Sequence, residues 1–134
     1  MTRSVNGHSN AMEDVVMQMQ FEYLQKKAAE GESFVVVGRC GETALKEYKN
    51  LIRVFVMGDK QCKIDHIMKK FGLSEDEAET KMNRHDVRRK AYHNRYSDSK
   101  WGDSRGYDLC VSSSKAGVQN TAKVIIDYIK GSQS

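Results

Sequence analysis

The segment from Lys81 to Tyr96 carries six cations in sixteen residues: Lys81, Arg84, Arg88, Arg89, Lys90 and Arg95. Wound as a helix, residues 84, 88, 92 and 95 share a face, with 85 and 89 beside them. Arginines crowded on one face repel each other unless an anion lies between them. Guanidinium forks bind phosphate oxygens two at a time, so a polyphosphate is the natural counterpart. Asp86, three residues before Arg89, is placed to orient it. The alternative is an ordinary solvated basic face, and charge alone leaves the two readings even.

A second feature is Val37-Gly38-Arg39-Cys40-Gly41. A buried strand ending in Gly-Arg would put Arg39 where α/β sheets bind ligands, and Gly38 would let a ligand approach the backbone. Taken alone, the feature is better explained as a strand-end turn with a surface arginine. The four histidines, His8, His66, His85 and His93, show no metal spacing. His85 and His93 are eight apart, too far for the i, i+4 pair of a helical zinc site. Cys40, Cys62 and Cys110 form no C-x-x-C pair, and no nucleophile motif is present, so no protein metal site or covalent catalysis is expected.

These residues need a scaffold, and the hydrophobic pattern supplies one. Met12, Val15, Val16, Met19 and Tyr23 mark one face of a first helix ending near Gly31, and that face is expected in the core. Phe34 to Val37 is apolar and largely β-branched, which predicts a buried parallel strand. A short helix over 42–48 follows, then a second strand over 51–56. Ile64, Ile67, Met68 and Phe71 stripe the next helix, which Gly72 stops. Ser74 with Glu77 three residues on is a capping box opening the basic helix. The loop 97–106 holds the lone tryptophan, Trp101. A third strand over 107–111 and a helix striped by Val118, Ala122, Ile125, Ile126 and Ile129 complete the alternation of a parallel α/β sheet.

The bulk numbers fit one modest domain: 134 residues, 39% hydrophobic and 30% charged, with a net charge of +4. That excess is weaker than a dedicated nucleic-acid binder shows. Three cysteines argue for a reduced, cytoplasmic setting rather than a disulfide scaffold. No apolar run approaches membrane-spanning length. Residues 1–11 read as a flexible arm, and residues 12–134 as the folded domain.

Several segments together resemble the cytidylate kinase-like family of P-loop kinases. They are FVVVGRC, RVFV followed by a helix, FGLSEDEA, RHDVRRKAYHNRY and WGDSRGYDLCVSSSKAG, in an order and spacing that span roughly a hundred residues. The resemblance implies part of a three-layer P-loop kinase-like parallel sheet flanked by helices, with a helical Arg-rich lid at about residues 74–100. It implies that Gly38, Arg39, Lys63 and Arg95 meet a nucleoside monophosphate. Lys63 stands where related kinases often carry arginine. Arg84, Arg88 and Arg89 would clamp the transferring phosphoryl group, with Asp86 holding one of them. Ser113 and Lys115 would lie near the adenine of the phosphate donor. ATP and Mg2+ are the implied cofactors, and phosphoryl transfer the implied chemistry.

The family's Gly-rich phosphate loop, G-x-x-x-x-G-K-[ST], does not occur in these residues. In related kinases the strand bearing it lies between the strand ending in Gly-Arg and the RVFV-like strand. Without it those strands must pair directly or be joined by another segment, and exposed edges predict a homo-oligomer or a chain poorly stable alone. Two other functions compete with a kinase. One is a non-catalytic descendant that binds nucleotide or a partner. The other is a basic nucleic-acid-binding module, against which the acidic run Glu75 to Glu79 argues.

Overall fold

The computed structural model describes residues 7–38 and 40–133, with side chains from residue 11 onward. It divides into two compact units, residues 1–51 and 52–134.

In the first unit, helix α1 (Gly7–Ala29) leads through an extended stretch to the short helix α2 (Gly41–Ala44). The helix therefore starts within the expected arm, and residues 1–6 lie outside the described region. The small core joins Leu24, Ala44 and Leu45, with Phe21, Ala28, Phe34, Val36 and Leu51 against it. This corrects the expected core face. Met12, Val15, Met19 and Tyr23 are more than half exposed, because the unit packs the neighbouring face of α1, that of Phe21, Leu24 and Ala28. Val16, Met19, Tyr23, Leu24 and Val36 instead line an open apolar groove of about 350 Å³.

The expected strand over 34–37 is also corrected. The backbone is extended, but no described residue pairs with it. Phe34 and Val36 turn inward, whereas Val35 and Val37 are 90% and 89% exposed. β-branched composition made the chain extended, but a ladder also needs a neighbouring strand. The helix expected over 42–48 shortens to α2 and a turn.

The second unit is a mixed α/β arrangement around a two-stranded parallel sheet, β1 (Val54–Met57) and β2 (Leu109–Ser112). Val54 lies opposite Leu109 and Met57 opposite Ser112. Both strands begin two or three residues later, and end one residue later, than the sequence pattern suggested. The reason is visible at the entry edge, where Arg53 and Asp108 are used as a clamp. Asp108 accepts from the Arg53 backbone N–H at 2.7 Å and from its guanidinium Nε and Nη2, each at 3.2 Å. The Asp108 and Leu109 amides both donate to the Arg53 carbonyl. The Arg53 bonds hold the Asp108 carboxyl below the usual range.

Between the strands run α3 (Lys60–Phe71) and α4 (Glu75–Tyr96), an antiparallel hairpin. Asp59 caps α3 by accepting from the Cys62 N–H. Gly72 ends it in the left-handed conformation, at φ 66°. The Ser74–Glu77 capping box then opens α4 as expected. The two helices share a core of Ile64, Ala78 and Met82, with Ile67, Met68 and Leu73 around it. After β2 come α5 (Ser113–Ala116) and α6 (Val118–Ser132), the latter against β2. Among the described residues no helix is long and apolar enough to cross a membrane.

Candidate functional site

At about 1.5 Å per residue, α4 is nearly twice as long as α3, so only its first half can be covered by that partner. Lys60 reaches Glu79 at 3.3 Å and Lys63 reaches Asp86 at 3.3 Å. Both lysines lie in the opening turn of α3, immediately after β1. Beyond Asp86 the helix therefore passes the β1–α3 junction, at the exit end of the parallel strands. Ligands of α/β sheets bind outside that end.

The basic residues divide by what they touch. Arg84, Arg88 and Arg89 are exposed, and none makes an ion pair or hydrogen bond with a described residue. Arg89 holds its guanidinium over the Trp101 ring, with Cζ 5.4 Å from the centroid. Arg95 lies over Tyr96 at 5.2 Å, and Tyr96 packs edge-on against Tyr92 at 4.9 Å. The expected orientation of Arg89 by Asp86 is not what forms. Asp86 pairs with Lys63, which a helical-spacing argument cannot see because it weighs only partners on the same helix. Lys63 thus joins the site, tied to α4 rather than free.

Beyond β2, Ser113 donates to the Met57 carbonyl at 3.2 Å, and Ser114 accepts from the Asp59 N–H at 2.7 Å. These hydroxyls tie the two strand ends together, so Ser113 is already engaged, whereas Lys115 is exposed. A side chain at Gly58 would meet the Ser114 hydroxyl at 3.4 Å, an ordinary contact distance.

In the first unit, Gly38 has φ 71° and Cys40 has φ 52°. Two left-handed residues thus bracket position 39, and only the first is a glycine. Arg39 itself lies outside the described residues. Cys40 is buried, which pushes its thiol up to about 12, with the Glu42 carboxylate adding to the shift.

Trp101 is the site residue that the pattern of cations missed. Its backbone N–H donates to Asn94 Oδ1 at 2.9 Å, and its ring meets Phe55 of β1 edge-on at 5.5 Å. The available signal was a lone tryptophan in a polar loop just after an arginine-rich helix.

A family model described as the cytidylate kinase-like family matches residues 1–115. This chain belongs to the cytidylate kinase-like family. The family is kinase-like by its description. A crystal structure of an uncharacterized protein from Eubacterium ventriosum ATCC 27560 is similar at 44% sequence identity and a TM-score of 0.84. The match covers 87% of this chain and 65% of that protein, so the chain spans less than two thirds of its neighbour's length. No curated protein matches the chain.

Proposed function

We propose that the second unit binds the phosphates of nucleotides and serves as the lid of a nucleoside monophosphate kinase-like protein. The observation that carries this is the set of three exposed arginines, Arg84, Arg88 and Arg89, without carboxylate partners on a helix anchored beside the strand exits. Cations in such a place are matched to an anion from solution, and guanidinium donors fit phosphate oxygens. The reaction in view is transfer of the ATP γ-phosphoryl group to a nucleoside monophosphate. Such a transfer needs positive charge and positioning rather than a protein nucleophile.

In this reading Arg84, Arg88 and Arg89 grip the transferring group, while Lys63, held by Asp86, faces the acceptor with Arg95. Lys115 lies toward the donor base. Nitrogen donors dominate this end of the unit, and Asp86 and Asp59 are engaged with Lys63 and Cys62. These residues would not themselves hold Mg2+, which, if bound with the donor phosphates, would offset their charge. Turnover further requires a donor-phosphate loop, and these residues alone describe nucleotide binding and lid closure. The non-catalytic nucleotide binder shares this same site. A nucleic-acid interface is less favoured, because Tyr92 and Tyr96 pack against each other. Self-association through the unpaired 34–37 stretch is the expected route to a homo-oligomer.

Calorimetric titration with ATP and a panel of nucleoside monophosphates tests the reading. Arg84→Ala and Arg88→Ala should each weaken ATP about tenfold, the worth of a charged hydrogen bond. Equal affinity in wild type and both variants would overturn it.

A further inference from the structure

Arg89 differs from its neighbours in what lies beneath it. Arg84 and Arg88 extend from α4 with no described partner, whereas Arg89 rests on the indole of Trp101, 5.4 Å from the ring centroid. A guanidinium held over an aromatic ring can still offer the N–H groups turned away from the ring, and those are what a phosphate engages. A long arginine side chain otherwise loses rotamer freedom when it binds an anion. The contact removes part of that loss beforehand.

The indole can do this because two contacts hold Trp101 and a third holds the residue after it. Its backbone N–H is fixed to Asn94, on the same helix as Arg89. Its ring stands at 80° to Phe55 of β1. The next residue, Gly102, has φ 80°, and its N–H donates to the Tyr107 hydroxyl at 3.4 Å. Tyr107 in turn packs on Phe55, with centroids 5.0 Å apart. The aromatic group therefore links the helix carrying the arginines to the strand whose exit end they overhang.

We infer that Trp101 is a positioning residue, which fixes the Arg89 guanidinium so that its N–H groups are presented to a nucleotide phosphate. The inference rests on the phosphate-binding reading above. It assigns to the loop 97–106 a role in ligand affinity, exerted through Arg89.

A double-mutant cycle on the full chain tests it, with inorganic pyrophosphate as probe. Trp101→Leu should weaken pyrophosphate about three- to tenfold, the range of a partly exposed cation–π contact, and Trp101→Phe less. Both losses should vanish when Arg89 is already alanine. In NMR spectra of the free protein the Arg89 Nε–H proton should carry a ring-current shift that Trp101→Leu removes. Should the leucine variant not fold, the phenylalanine variant, which keeps an aromatic ring against Phe55, decides the matter by the same cycle. If wild type binds pyrophosphate and the tryptophan variants weaken it equally with and without Arg89, the positioning role is overturned while the phosphate site stands. If wild type binds no pyrophosphate, both readings fall together.

Discussion

The arginines can act together only if α4 is held rigidly against α3, and Ile64 is the side chain on which that packing turns. Ile64 is 2% exposed and meets Ala78, 0% exposed, and Met82, 5% exposed. Ile64→Ala deletes three carbons, which at about 0.8 kcal/mol each removes roughly 2.4 kcal/mol of burial. Ala78 and Met82 are fixed by their own helix and can close the space only in part, so a cavity cost adds to this. The total is about 3 kcal/mol, inside the usual range for such truncations. A domain of this size is stable by roughly 5–10 kcal/mol, so the variant should still fold but with a lower urea midpoint. Urea titration followed by circular dichroism measures this. Ile64→Val should lose about 1 kcal/mol, giving a graded series. Val87→Ala on the exposed side of α4, where Val87 is 67% exposed, should lose less than about 0.5 kcal/mol. If Ile64→Ala cost no more than Val87→Ala, the hairpin core would not be what holds the basic helix, and the site geometry built on it would fail.

Other consequences can be measured separately. Asp108→Asn should cost about 1 kcal/mol, a value kept small by solvent screening at this partly exposed clamp. Because the native Asp108 carboxyl sits below its ordinary value, its contribution is present above pH of about 4 and fades as pH falls further. Wild type and Asp108→Asn should therefore converge in stability in acid, and a constant gap would contradict the clamp. The Asp103 carboxyl, held down to about 2 chiefly by its bond from the Arg105 side chain, should titrate in NMR near that value and return toward the ordinary range in Arg105→Ala. Alkylation at mildly alkaline pH should reach exposed Cys62 first, since the buried Cys40 thiol is pushed up to about 12. Equal rates would show that Cys40 is not buried in solution. Val35→Lys with Val37→Lys should change stability by less than about 0.5 kcal/mol and reduce self-association in sedimentation runs. A large destabilisation would mean that those side chains are covered.

Local signals in the sequence were readable where one element settles its own structure. Ser74 and Glu77 satisfy each other's backbone, and Gly72 adopts the conformation that other residues resist, so the α3–α4 turn followed from spacing alone. Of the stripe on α3, Ile64, Ile67 and Met68 meet α4, whereas Phe71 at its end is 50% exposed. The failures lie where a second element decides. Phe34 to Val37 has strand composition, but composition cannot supply a neighbouring ladder. Met12 to Tyr23 has a sound helical period, yet periodicity gives a candidate face and not the side on which α2 and the extended stretch pack. Asp86 was assigned to Arg89 by helical spacing, whereas its partner, Lys63, lies on another helix. Trp101 carried no periodic signal, and only folding brings it under Arg89. The cations themselves were legible because charge of one sign on one helix needs no partner to be noticed.

The central claim is that the exposed arginines of α4 meet nucleotide phosphate, and arginine-side-chain NMR tests it most directly. On titration with ATP the Nε–H signals of Arg84, Arg88 and Arg89 should shift together with one affinity. Arg105, already paired to Asp103 at 2.7 Å, serves as internal reference and should stay in place. Uniform small shifts over every arginine, or none at Arg84, Arg88 and Arg89 at saturating ATP, would contradict the account.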